Sequence, residues 1–288
     1  MDMAVGNQNT SEFEISVAVI AMNCRDDVRR LLDSLTEPLN AMSHEIVFVD
    51  NASTDGTVEM LKTEYPDTVL IENSRNNGVA PARNQALKKC KGKYIFIVDA
   101  DCEYKEGDFR SAINYLESNP DVAVLGFRLY YPNGEIQDTG RTLPTPFDLL
   151  VNRLDSSEKI RNSRKFRQHR MRDFDPMKLR EAGFVSGASQ FFARKLPDEI
   201  GYLDENMFYG YEDSDFCARA IISGKKVVYF PFIVIVHHHQ RLTKKKPLSR
   251  MAAEQMKSYG IFHRKHGKML GRINRDLRLN NNPPPFLM

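Results

Sequence analysis

The alternation of short apolar runs with amphipathic stretches between residues 15 and 99 constrains this chain more than any other feature. "ISVAVIAM" (15–22), "EIVFVD" (45–50), "TVLIEN" (68–73) and "GKYIFIVD" (92–99) are apolar runs of strand length. Between them, "CRDDVRRLLDSL" puts Val28, Leu31, Leu32 and Leu35 on one helical face, and "STDGTVEMLKTEYP" offers Ser53, Thr54 or Asp55 as a helix cap. "RNNGVAPARNQALKKC" reads as a third helix. Strands apolar on both faces and separated by helices predict βαβ units and a parallel sheet covered on both sides, an α/β fold of nucleotide-binding type.

Ligands of such sheets gather beyond the carboxyl ends of the strands, where the strand order reverses. Three strand ends here are polar: Asn23, Asp50 with Asn51, and Asp99 with Asp101. In a strand, residues i and i+2 point to the same side, so Asp99 and Asp101 can converge just past the strand. Two carboxylates that close repel unless a proton or cation lies between them. On the residues alone, the pair is either an Asp-rich turn or a cation site. Neither G-x-G-x-x-G nor G-x-x-x-x-G-K-[ST] occurs, so a nucleotide would not be held by those loops.

Several classes are excluded by composition. A formal charge of +3 gives no general case for nucleic acid as a partner. No apolar run reaches the length of a membrane span, and the N-terminus lacks the pattern of a signal peptide, so the expected compartment is the cytoplasm. Cys24, Cys90, Cys102 and Cys217 have no C-x-x-C spacing and read as free thiols, with Cys102 notable beside the acidic pair.

Past residue 140 the pattern weakens. Residues 141–181 read as an irregular, charged insertion, with ten Lys/Arg against five carboxylates between Asn152 and Glu181. It is either a solvated loop or a lid over an acceptor. "GFVSGASQFFARK" reads as a strand, "YEDSDFCARAIISG" as a helix ended by Gly224, and "KVVYFP" and "IVIVHHH" as two further strands. Alternation places His237 and His239 on one face and His238 on the other. In "PLSRMAAEQMKSYGIFHRKHGKML", Leu248, Met251, Met256, Tyr259 and Phe262 lie near one stripe, which predicts a helix docked on the main domain, with a membrane surface as the other reading of its basic face.

Taken in order, "VAVIAMN", "EIVFVDNASTDGT", "NNGVAPARNQALKKCKGKYIFIVDAD", "VSGASQFFARK", "GYLDENMFYGYEDSDFCARAIISGKKVVYFP" and "VHHH" resemble glycosyltransferase family 2, the inverting GT-A enzymes, and within it the rhamnosyltransferase-like branch. The resemblance spans residues 15–240. It implies a mostly parallel nucleotide-binding sheet flanked by helices, with a smaller acceptor-side subdomain and a C-terminal helical extension. The implied organisation is a tail (1–14) and a catalytic domain (15–240) made of a nucleotide-binding half (15–102), the charged insertion (141–181) and an acceptor half (182–240), followed by a basic helical extension with a tail (241–288).

Position by position, the resemblance implies that Asp50 reads the nucleotide base, that Asn23 and Arg83 lie around the nucleotide, and that Asp99 lies near the ribose. It makes "VDAD" a D-x-D site in which Asp101 binds Mg²⁺ or Mn²⁺, with His237 as a further ligand. Such a cation offsets the charge that develops on a leaving nucleoside diphosphate. Ser186 and Gly187 would lie beneath the donor sugar and acceptor with Glu212 beside them. Asp213 would be the base that takes the acceptor proton. Glu212 and Asp215 can also serve as helix N-terminal charges.

"AMN" departs from the threonine–tyrosine pair usual before Asn23 in the family. The implied partners are a UDP- or TDP-linked sugar and a glycan or lipid-linked glycan acceptor, with peripheral association at the inner membrane face. The alternatives are a catalytically inactive GT-A-like binding protein and a sugar-1-phosphate nucleotidyltransferase. Against the latter, the first strand is not followed by a glycine-rich basic loop.

Overall fold

A computed structural model describes residues 11–153, 157–238 and 249–281. The expected strands and helices form in order: β1 (Phe13–Ala21), α1 (Arg25–Asn40), β2 (His44–Asp50), α2 (Thr57–Glu64), β3 (Val69–Glu72), α3 (Val79–Lys89) and β4 (Gly92–Asp99). Next come β5 (Cys102–Glu106), α4 (Phe109–Ser118) and β6 (Val122–Tyr130). The main sheet has nine strands in the order β3-β2-β1-β4-β10-β6-β11-β5, where β10 is Ser189–Ala193 and β11 is Lys226–His237, and the short β8 (Arg180–Glu181) pairs β11 off this path. Strands β3, β2, β1, β4, β6 and β11 run one way, and β10, β5 and β8 run the other.

Burial on both faces explains the apolar runs. Val17 and Val19 of β1 and Phe96 and Val98 of β4 pack into the core beneath α1, α2 and α4, with Leu31, Leu61 and Phe109. Their neighbours Ala18, Ile95 and Ile97 pack into the opposite core with Ala82 and Ala86 of α3 and Phe216 of α9 (Glu212–Ile222).

Two strand expectations are corrected. "KVVYFP" and "IVIVH" form one strand, β11, which ends at His237 and whose pairing to β6 shifts register between Phe230 and Val234, around Pro231. A proline has no N–H for the ladder, so the strand bulges rather than ends. "GFVSGASQFFARK" contains two strands, β9 (Phe184–Val185) and β10, with Ser186, Gly187 and Ala188 turning between them.

The charged insertion is also more regular than its composition suggested. It holds β7 (Gly140–Arg141), which pairs β9, then α5 (Pro146–Arg153), α6 (Glu158–Arg161) and α7 (Arg164–His169). Leu143, Phe166 and Met171 are buried. Some of its charges are paired locally: Arg172 bonds Asp138 at 2.8 Å, and the guanidinium groups of Arg170 and Arg172 lie over the Phe166 ring.

After α8 (Leu196–Ile200) and α9, the described chain resumes at residue 249 and forms α10 (Arg250–Asn281). Tyr259, Phe262, Leu270, Ile273 and Leu277 bury its inner face in the second core, and both side-chain ends of Asn274 bond the backbone of Leu143. This is the docked helix expected from the sequence. His239, Leu248 and the last residues of the tail lie outside the described residues.

Candidate active site

The carboxyl ends of β1 and β4, the turn before β10 and the start of α9 meet at one edge of the sheet. Because β10 runs against β4, its amino end reaches that edge, where Asp99 N–H donates to the Ala188 carbonyl at 3.2 Å. A cavity of about 490 Å³ opens there. Asn23, Arg83, Asp99, Asp101, Ser186, Gly187, Glu212, Asp213 and His237 all line it, so nine of the ten residues singled out in the sequence converge.

At its base is a buried guanidinium. Arg83 Nη2 donates to Asp99 Oδ1 at 2.6 Å and to the Gly187 carbonyl at 2.8 Å, and Nη1 donates to Glu212 Oε1 at 2.9 Å. Gly187 also donates its N–H to Asp213 Oδ2 at 3.0 Å. A Cβ on Gly187 would lie 2.5 Å from Arg83 Nη1, so the close approach expected of this glycine is a contact with that guanidinium. Glu212 is pushed up to about 7 by burial and then by the neighbouring Asp213 charge, with Arg83 working against both.

Asp213 is oriented by its own surroundings. Its Oδ1 accepts from Ser214 N–H at 2.6 Å while Oδ2 holds the Gly187 N–H. The residue before the helix, Tyr211, adopts φ 68°, a left-handed conformation unusual outside glycine and asparagine. Its ring packs edge-on to Tyr259 at 5.2 Å and stacks near Phe262, so α10 braces the turn that aims Glu212 and Asp213.

Beyond Asp99 the chain turns and re-enters the sheet as β5, a strand that sequence patterning did not reveal. Its pairing with β11 sets Cys102 opposite His237. That register brings His237 Nε2 to 3.3 Å from Asp101 Oδ1. Burial opposes charge on His237, but the Asp101 hydrogen bond and the charges of Asp101 and Asp99 outweigh it and raise its pKa.

Asp101, Cys102 and His237 each offer one ligand atom, all within 4.8 Å of one another. Burial and then the charges of Asp99 and Asp101 hold the Cys102 thiol protonated, and it donates to the Ala188 carbonyl at 3.5 Å. A carboxylate with an imidazole, and no thiolate, suits a divalent cation that also takes oxygen ligands from phosphate.

The pattern described as "Glycosyl transferase family 2" matches residues 16–195. The chain belongs to this family. It is 23% identical over 234 residues to the N-acetylglucosaminyl-diphospho-decaprenol L-rhamnosyltransferase of Mycobacterium tuberculosis, covering 77% of this chain and 75% of that protein. Among solved structures, it resembles the mannosyltransferase PcManGT from Pyrobaculum calidifontis in complex with GDP-Man and Mn²⁺ (TM-score 0.54, 18% identity, 93% of this chain and 79% of the other). It also resembles GalNAc-T7 with UDP, GalNAc and Mn²⁺ (TM-score 0.59, 14% identity, 95% and 59%). The fold is therefore that of the GT-A glycosyltransferases.

Asp50 alone of the ten does not line the cavity. It ends β2, where its Oδ2 accepts from Ser53 N–H at 2.9 Å, and its neighbour Asn51 lines the cavity. Asn23, at φ 54°, accepts from Thr54 N–H at 2.7 Å and so ties the first two strand ends together. Asp215 is one of the three acids in the first turn of α9. It is fully buried, bonds His266 at 2.8 Å, Lys265 at 2.6 Å and Arg219 at 2.9 Å, and links α9 to α10. Burial alone would raise its pKa, but the His266 and Lys265 hydrogen bonds hold it at about 2.

Two wall residues, Met251 and Gln255 of α10, carried no signal in the sequence beyond helical periodicity. Gln137, behind His237, carried none.

Proposed function

We propose that this glycosyltransferase moves a sugar, with inversion, from a nucleoside diphosphate sugar to a hydroxyl of a lipid-linked glycan. The observation that supports this most directly is that an oriented carboxylate, Asp213, and the Asp101–His237 pair line the same cavity. In the proposed step, the acceptor oxygen attacks the anomeric carbon as its proton passes to Asp213. The bond from that carbon to the diphosphate oxygen breaks, and the nucleoside diphosphate leaves with the electron pair.

Asp101 and His237 would hold a divalent cation, Mg²⁺ or Mn²⁺, which supplies neutralisation of the charge on the leaving diphosphate. Arg83 holds Asp99 and Glu212 in place around the donor, and Asn23 lies at the nucleotide end. Asp50 keeps a place in this reading through Oδ1, which is buried and has no hydrogen-bond donor among the described residues, leaving an acceptor for a base N–H.

The nucleotide and metal are tested together by thermal unfolding with UDP, TDP, GDP and CDP, each in Mn²⁺ and in excess EDTA. One nucleotide is expected to raise the wild-type melting temperature only with metal, by the equivalent of about 2.7 kcal/mol at a hundredfold excess over Kd. Asp101→Ala is expected to lose that shift. No shift from any nucleotide in either condition would overturn the donor assignment.

The acceptor part of the proposal draws on the decaprenol-linked substrate in the name of the mycobacterial relative and on α10. No helix among the described residues is long and apolar enough to cross a membrane. Yet α10 carries eight Lys/Arg against two carboxylates, and Lys257, Arg264, Lys268, Arg272 and Arg275 are exposed on the side away from its buried stripe. Its first turns line the cavity, so a cationic face on an anionic leaflet would bring a membrane-held acceptor close to Asp213. Association with the inner face of the cell membrane is part of this proposal.

Each such cation contributes about 1 kcal/mol at an anionic surface, roughly fivefold in binding. Replacing Arg264, Lys268, Arg272 and Arg275 by Gln is expected to release the protein from phosphatidylserine vesicles at low salt while its melting temperature holds. Unchanged vesicle binding would remove α10 from the proposal.

A further inference from the structure

Gln137 lies in the connection from β6 to β7 and is buried at 8% exposure. Its backbone N–H donates to the Leu129 carbonyl at 2.8 Å. Its side-chain amide nitrogen donates to two carbonyl oxygens, Tyr130 O at 3.1 Å and His237 O at 2.7 Å. Those are the last residues of β6 and β11, adjacent strands in which Val236 faces Tyr130. The amide oxygen, Oε1, lies 3.1 Å from His237 Nδ1.

These contacts fix the orientation of the amide. Exchanging its nitrogen and oxygen would set an acceptor against two carbonyl oxygens, so the nitrogen must lie where it does. The atom facing His237 Nδ1 is then an oxygen with no hydrogen to donate, and the contact is a hydrogen bond only when Nδ1 carries the proton. In the neutral ring, Nε2 is left with its lone pair, and Nε2 is the atom 3.3 Å from Asp101 Oδ1. Two acceptors at that separation repel unless a proton or metal ion is shared between them.

We infer that Gln137 is a positioning residue that locks His237 in its Nδ1–H tautomer and so presents Nε2, together with Asp101, to a divalent cation. The inference rests on the metal-site reading above. It goes beyond it by assigning a residue that touches neither the cavity nor the donor, and by stating which ring nitrogen is the ligand. The same amide ties together the ends of two strands, so the site is registered to the sheet rather than to a loop. Partners of this kind typically change metal affinity by about 10–100-fold when they are removed.

The experiment has two arms. In the first, long-range ¹H–¹⁵N correlation spectra of metal-free protein, at a pH where the ring is neutral, report the tautomer of His237, assigned by its loss in His237→Ala. The wild type is expected to give the Nδ1–H pattern and Gln137→Leu the Nε2–H form or a mixture. A purely structural tether would leave the tautomer unmoved in Gln137→Leu, and an Nε2–H wild type would overturn the inference without any variant.

In the second arm, free Mn²⁺ is counted by electron paramagnetic resonance with and without UDP. Gln137→Leu is expected to weaken Mn²⁺ binding about 10–100-fold. If His237→Ala and Asp101→Ala leave Mn²⁺ binding at the wild-type level, the metal-site reading fails, whatever the tautomer. If those two lose binding and Gln137→Leu does not, the metal site stands and the role of Gln137 falls.

Discussion

Replacing Asp213 by Asn is expected to lower kcat for transfer by about 10²–10⁴-fold, the range lost with a general base, while nucleotide binding stays near wild type. The substitution is chosen for its small structural cost. The introduced amide keeps an oxygen able to accept from Gly187 N–H or Ser214 N–H, the two backbone donors that orient the carboxylate, but it cannot take a proton. Loss of turnover without loss of the nucleotide-induced thermal shift would separate the chemical step from donor binding. In the same assay, Asp101→Ala should lose both. Wild-type turnover in Asp213→Asn would move the base elsewhere, first to Glu212, which lines the same cavity and whose Oε2 has no hydrogen-bond partner among the described residues while Oε1 bonds Arg83.

What the sequence made legible follows from the range of the interactions. Strands buried on both faces must be apolar along their whole length, so β1, β2 and β4 were readable from local pattern alone. The acidic pair of β4 and the acids that open α9 were readable because each sits at the end of an element with a strong pattern of its own. Contacts that join distant segments left no local trace. Arg83 and Glu212 are separated by 129 residues, and nothing in "APARNQ" distinguishes a buried guanidinium from a solvated one. Gln137 meets His237 across 100 residues from a segment with no periodicity at all.

The insertion, readable only as a solvated loop or a lid, hides its order for a related reason: Asp138 and the Phe166 ring hold Arg170 and Arg172 within a packed unit, and neither contact leaves a periodic pattern. β5 was missed because "CEYKE" is too short and too polar to stand out, and it is a strand only because the end of β11 offers it a ladder. At Asp50 the motif places the residue at a strand end, and the following turn, through Ser53 N–H, fixes Oδ2 and leaves Oδ1 without a donor among the described residues.

The second large effect concerns Arg83, whose guanidinium is the only cation bonded to Asp99 and Glu212 among the described residues. Arg83→Met keeps much of the side-chain volume but leaves a fully buried carboxylate and a partly buried one without their counter-charge. Removing one partner of a buried pair typically costs about 3–5 kcal/mol.

The pH dependence distinguishes this cause from simple loss of packing. Glu212 already has a folded-state pKa of about 7, above the 4.5 of the free side chain. A raised carboxyl pKa means that the folded protein binds the proton more tightly than the unfolded chain. Its stabilising contribution is therefore full at low pH and is lost as pH rises from 4.5 towards 7. Without Arg83, the one influence that lowers this pKa by opposite charge is gone, so the loss should deepen and extend to higher pH.

Urea unfolding of Arg83→Met should accordingly show a larger deficit against wild type at pH 8 than at pH 5, and adding Glu212→Gln should recover part of the deficit at pH 8 but little at pH 5. Equal deficits at both pH values would mean that Arg83 acts through packing alone. The network of Asp99, Arg83 and Glu212 would then be a filler of the cavity base rather than an electrostatic frame for the donor.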